Sequence, residues 1–264
     1  MLFVVDVGNT ETVIGLYEGE KLRAHWRLSS KTPRTSDECW ILLKAWCESQ
    51  GFPLSGPEGF VISSVVPSLT AVFRDVAAKY LGQESFIVTA ETDTGLKILY
   101  DTPSTVGADR ICNAVAGYFH HGGPLIIVDF GTATTFDVIS ERGEYLGGAI
   151  ALGVMGASQE LHRLAAKLPR VDMLFPPAVV GKTTETSIQS GIMFGTVALV
   201  DGMVGRIAEE MGWKVFRAIA TGGVAPMIAE KSKKIQTIEP YLTLEGMMLI
   251  FERLKIPDAA KMKK

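Results

Sequence analysis

The feature that most constrains this chain is an internal echo. Residues 2–8 read LFVVDVG and residues 125–131 read LIIVDFG, each a short β-branched run ending in Asp-x-Gly. Runs of this length without polar alternation are strands buried on both faces. Each is followed by a Thr-rich stretch (NTETV, then TATTF), a second strand pattern, a glycine turn at Gly19 or Gly143, and a third strand pattern. Asp6 and Asp129 lie 123 residues apart and Gly19 and Gly143 lie 124 apart, so the two hairpins match within one residue. Strands and turns alone can coincide by chance. The same acid, glycine and threonines at the same place argue for a duplicated domain.

Helical patterns separate these strands. Thr35-Ser36-Asp37-Glu38 is a capping box ahead of Trp40, Leu43, Ala45 and Trp46. Ser68 to Leu81 follows Pro67 and stops at Gly82. Gly107 to His120 carries Ile111, Val115 and Tyr118 at helical spacing, and Thr184 to Met211 is long, periodic and interrupted by glycines. Strands alternating with helices in both halves predict α/β domains with mixed sheets flanked by helices. The expected division is an N-terminal domain over 1–120, a C-terminal domain over 121–256 and a frayed Lys-rich tail over 257–264.

Composition narrows the class. With 264 residues, 47% hydrophobic and 21% charged, the chain can bury the cores of two domains. A net charge of -3 and a pI near 5.9 lack the basic surplus of a nucleic-acid partner. Cys39, Cys47 and Cys112 form no CxxC pair, which fits reduced thiols in the cytoplasm. MLFVVDVG has no basic region before its apolar run and reads as a buried strand, not a signal peptide. Ile192 to Val204 is broken by Asp201 and is too short to span a bilayer. No membrane partner is expected.

The chemistry must come from an unusual device, because neither GxxxxGK[ST] nor GxGxxG is present. Asp6-Val7-Gly8-Asn9-Thr10-Glu11-Thr12 offers one. Gly8 permits a tight turn whose N–H groups face an anion, and Thr10 and Thr12 add hydroxyls. Asp6, at a strand end, suits a hydrated Mg²⁺. Taken alone, the segment is equally a plain hairpin turn. Asp129-Phe130-Gly131-Thr132-Ala133-Thr134-Thr135 repeats it, and two such loops on duplicated halves can face each other across a cleft and grip one polyphosphate.

Two further segments are weaker on local grounds. Ala218-Ile219-Ala220-Thr221-Gly222-Gly223 lets a flat ligand approach closely, or is a simple tight turn. In Tyr100 to Arg110, Asp109 falls in the first turn of a helix, where the macrodipole favours a carboxylate that can accept a hydroxyl proton. Arg110 beside it suits a substrate carboxylate, or is a surface arginine. The four histidines lack zinc spacing, and His120 and His121 read as a solvated helix end. Ser63-Ser64-Val65-Val66-Pro67 closes a strand without evident chemistry.

DVGNT at 6–10, GADR at 107–110, DFGTATTFDV at 129–138, GGAI at 147–150 and TGG at 221–223 resemble, in order, the motifs of type III pantothenate kinases. The likeness runs from Asp6 to LTLEG at 242–246. It implies a duplicated actin-like (ribonuclease H-like) ATPase fold, the ATP-dependent phosphorylation of pantothenate, and a homodimer with its active site near the interface. By the resemblance, Asp6, Val7, Gly8, Asn9, Thr10, Glu11, Thr12 and Val13 form the ATP phosphate loop and Thr132 also contacts ATP. Asp109 is the proton acceptor, and Tyr100, Gly107, Ala108, Asp109 and Arg110 bind pantothenate. Asp129 holds a monovalent cation, K⁺ or NH₄⁺, and Thr184 approaches pantothenate from the partner subunit. Two residues depart from the family pattern: Glu11 replaces a usual Asn, and Leu152 a usual Pro. The competing readings are a kinase of the same fold with another acceptor, and a nucleotide-binding regulatory protein.

Overall fold

The computed structural model describes residues 1–54, 56–165 and 168–255; the tail over 257–264 expected to fray lies outside them. In chain order the elements are β1 (Leu2–Val7), β2 (Glu11–Glu18), β3 (Lys21–Ser29), α1 (Ser36–Ser49), β4 (Gly59–Ser64), α2 (Pro67–Leu81), β5 (Ser85–Ile87), β6 (Lys97–Ile98) and α3 (Ala108–His121). There follow β7 (Leu125–Phe130), β8 (Ala133–Ile139), β9 (Glu144–Leu152), α4 (Val154–Leu164), α5 (Thr184–Glu210), β10 (Arg217–Gly222), α6 (Ala225–Lys231), β11 (Thr237–Ile238) and α7 (Leu242–Lys255). Two compact units result. Among the described residues, the first takes those of 1–96, 100–116 and 242–255, and the second those of 97–99 and 117–241.

The duplication holds strand by strand. The first sheet has the order β3-β2-β1-β4-β5 and the second has β9-β8-β7-β10-β11, with β6 added beside β9. In each, the first three strands pair antiparallel and the last two join in parallel. Even the irregularities recur. The β2–β3 ladder slips between Leu16 and Tyr17, and the β8–β9 ladder between Val138 and Ile139. Each slip precedes a turn whose glycine has positive φ, 58° at Gly19 and 73° at Gly143, a conformation that costs glycine nothing.

Local signals set the helix ends. Thr35 accepts from the Glu38 N–H while the Glu38 carboxylate accepts from the Thr35 N–H, a reciprocal cap for α1. Gly82 ends α2 in the left-handed region, with φ 61°. In the first unit Phe3, Val5, Ile14, Phe60, Ile62 and Phe73 form the centre of the core. α7 belongs to this unit and packs on β1, β2 and β4. It approaches α3 so closely that a β-carbon on Gly246 would lie 2.0 Å from the Cys112 carbonyl oxygen.

The second core gathers Ile126, Val128, Phe136, Met193, Val200 and Ala220. Within it α5 is longer than the apolar stretch read in the sequence. Its 27 residues, with a window of mean hydropathy 1.4, meet the length and composition of a membrane-crossing helix. Yet Ile188, Ile192, Met193, Val200 and Val204 are buried along one stripe of it, the pattern of a helix laid on a globular core.

Candidate active site

In the first unit, β1 is apolar and buried except at Asp6, which is half-buried near its C-terminal end. The following turn closes when the Gly8 N–H donates to the Glu11 carbonyl at 3.0 Å, and the Ser30 N–H donates to the Thr10 carbonyl at 3.0 Å. Val7 and Thr12 are buried, and the Thr12 hydroxyl is engaged with Ser30 Oγ at 2.9 Å. Asn9 and Glu11 are exposed and Gly8, Thr10 and Val13 partly so. The extra charge of Glu11 does not stand alone. Its Oε2 accepts from Arg27 Nη1 at 3.1 Å across the β2–β3 hairpin, with both side chains about half exposed.

The second unit builds the same turn one residue shorter, with the Gly131 N–H donating to the Ala133 carbonyl at 3.0 Å. Thr132 is exposed at its tip. Gly153 lies directly beneath, where a β-carbon would come within 2.3 Å of the Thr132 carbonyl oxygen. Asp129 is half-buried, and the ladder places Thr135 opposite it on β8 and Thr221 opposite it on β10. Cross-strand partners share a face. A carboxylate between two threonines is an all-oxygen set, the chemistry that suits hard cations and not zinc. The Thr221-Gly222-Gly223 segment thus flanks Asp129. Leu152, the second departure, ends β9 opposite Ala133 with its side chain 61% exposed.

A short 3-10 turn over Pro103–Thr105 leads into α3. Asp109 lies in the first turn of that helix and its Oδ1 accepts from the Arg110 N–H at 2.8 Å. A β-carbon on Gly107 would stand 2.4 Å from the same oxygen, so the carboxylate occupies the space a side chain would take. Arg110 is not a surface residue; it is 8% exposed, and a guanidinium so buried must be partnered. Tyr100 is half-buried.

At the start of α5, Thr183 accepts from the Thr186 N–H at 3.1 Å and Lys182 N–H donates to Thr186 Oγ1 at 3.1 Å. Thr184 is exposed in the first turn and lines an open cavity of about 800 Å³ with Lys182, Leu161, Leu168, Ile188 and Ile192.

The residues missed in the sequence are equally informative. Ser63 pairs in register with Asp6 and its hydroxyl donates to Asp6 Oδ1 at 3.0 Å. His121 is more than a solvated helix end, because its Nε2 lies 2.8 Å from Glu239 Oε1 with both side chains largely covered. Among the described residues no cluster of three metal-ligating side chains occurs.

Two mixed sheets sharing one five-strand order, each with an acid near the end of its first strand, define the actin-like ATPase and sugar-kinase fold. Solved structures bear this out. A Campylobacter jejuni protein described as a conserved Baf family transcriptional activator superposes with a TM-score of 0.60 at 15% identity, covering 96% of this chain and 100% of that one. The ROK hexokinase of Thermus thermophilus gives 0.51 at 12% identity over 96% and 99%.

Sequence relatives narrow the class. Residues 2–206 match the family described as type III pantothenate kinase. Type III pantothenate kinases of Moorella thermoacetica and Geobacter sulfurreducens are 46% and 48% identical over 253 residues, each covering 96% of this chain and 99% of the relative. The chain belongs to the type III pantothenate kinase family.

Proposed function

We propose that this chain transfers the γ-phosphoryl group of ATP to the primary hydroxyl of pantothenate, giving 4'-phosphopantothenate at the first step of coenzyme A biosynthesis, as a soluble cytoplasmic enzyme. The observation that carries the mechanism is the seating of Asp109. Its Oδ1 is held by the Arg110 N–H and occupies the room left by Gly107. Asp109 accepts the hydroxyl proton as the alcohol oxygen bonds to the γ-phosphorus, and the bond from that phosphorus to the departing ADP oxygen breaks. Such transfers depend on positioning and charge neutralisation more than on covalent chemistry.

The Asp6–Val13 segment forms the ATP phosphate loop, and Thr132 also contacts ATP. Tyr100, Gly107, Ala108, Asp109 and Arg110 bind pantothenate, and Thr184 approaches it from the partner subunit of a homodimer. The residues fit the cations that the family implies. Asp6, bonded to Ser63, would hold a hydrated Mg²⁺, which neutralises charge on the phosphates. Asp129, with Thr135 and Thr221 opposite it, would hold K⁺ or NH₄⁺.

Mass spectrometry of the products formed from ATP and pantothenate tests the reading. Phosphopantothenate and ADP in equal amounts support it, and ATP hydrolysis without a phosphorylated acceptor ends it. Equal rates in potassium-rich and potassium-free buffer, with ammonium absent, remove the cation role of Asp129.

A further inference from the structure

Ser63 sits in a strand whose preceding residues, Phe60, Val61 and Ile62, are buried and apolar, yet it is itself 0% exposed. A hydroxyl in such a place must be hydrogen-bonded to be tolerated. Its bond goes to Asp6 Oδ1 at 3.0 Å, across a parallel ladder that sets the two residues side by side. Cys112, also fully buried, neighbours the serine. Cys112 lies one turn after Asp109 on α3.

The second unit repeats the arrangement in outline. Thr221 on β10 stands opposite Asp129 as Ser63 on β4 stands opposite Asp6. Both hydroxyl residues stand next to last in buried apolar strands, and both precede by three residues the valine that caps the next helix, Val66 or Val224. A hydroxyl placed twice beside the strand-end acid is hard to ascribe to packing alone.

We propose that Ser63 is a positioning residue that fixes the Asp6 carboxylate for its hydrated divalent cation. This rests on the reading of Asp6 given above. Donation to Oδ1 restricts the rotation of the carboxylate. Partners of this kind, which orient a ligand without touching the metal, change metal affinity by roughly 10–100-fold when removed.

The test is binding of Mn²⁺ in the presence of a non-hydrolysable ATP analogue, followed by electron paramagnetic resonance on the full chain, with no turnover required. Ser63→Ala is expected to weaken Mn²⁺ binding about 10-fold, Asp6→Asn to weaken it further, and Ser63→Thr, which keeps the donor, to stay close to the parent. If Ser63→Ala binds as the parent does while Asp6→Asn loses affinity, the positioning role is wrong and the reading of Asp6 stands. If Asp6→Asn itself binds normally, that reading falls and takes the inference with it. Should the alanine variant not fold, Ser63→Cys, of similar volume and a poor donor, replaces it under the same two outcomes.

Discussion

Gly107 and Asp109 are bound by space: a β-carbon on the first would come within 2.4 Å of Oδ1 on the second. The neighbour at risk is the mobile end of a carboxylate, not backbone, so the protein can relieve the clash by swinging Asp109 aside. Gly107→Ala is therefore expected to unfold in urea within about 1 kcal/mol of the parent, the cost of a small rotamer change. Its kcat should fall by roughly 100-fold, since small displacements of a reacting group are costly. Paired urea melts and steady-state kinetics check it; equal losses in stability and rate would refute it.

Asp109→Asn preserves the shape but cannot take the proton. Turnover should drop by roughly 10²–10⁴-fold with little change in the KM for pantothenate. Near-normal turnover would remove Asp109 from the mechanism.

Gly246 meets backbone, not a flexible side chain. Its missing β-carbon would lie 2.0 Å from the Cys112 carbonyl oxygen, so Gly246→Ala must push α7 off α3. Overpacking of this kind costs about 1–3 kcal/mol, and more where backbone has to move. A lowered urea midpoint, with lost activity because α3 also carries Asp109, is the expected outcome.

Glu11 brings a charge beside the phosphate turn, but Arg27 pairs with it at 3.1 Å. Exposed pairs contribute under about 1 kcal/mol to stability, so Glu11→Asn should leave the melt unchanged and alter the KM for ATP less than about threefold. Arg27→Ala unmasks the carboxylate and should raise that KM at low ionic strength, with the effect fading in about 0.5 M salt as screening shortens its reach.

Cys39, Cys47 and Cys112 are all buried. Burial lifts each thiol above its usual range, to about 11 at Cys47, and the thiolate is the reactive form. An aromatic disulfide reagent at pH 8 should label none of them in the native protein and all three in denaturant.

Much of this was legible because the chain states it locally. The paired LFVVDVG and LIIVDFG runs mark strands buried on both faces, and Thr35 with Glu38 or the glycine at 82 mark helix ends within a few residues. Contacts made across long separations were not. Ser63 and Asp6 are 57 residues apart and meet only through a parallel register, which no turn fixes. A faint signal did exist: Ser63 before Val66 has the same spacing as Thr221 before Val224. His121 finds Glu239 from 118 residues away, and the burial of Arg110 depends on packing that helical periodicity alone does not specify.

The membership of α7 in the first unit has a consequence for biosynthesis. The strands β1, β2 and β4 that this helix covers are made before the second unit, whereas Leu242–Lys255 is made after it. The nascent first sheet must wait, with one face uncovered, through synthesis of the whole second unit. Chaperone demand should therefore concentrate on the N-terminal sheet, and a premature stop before Leu242 should damage the fold at the opposite end of the sequence.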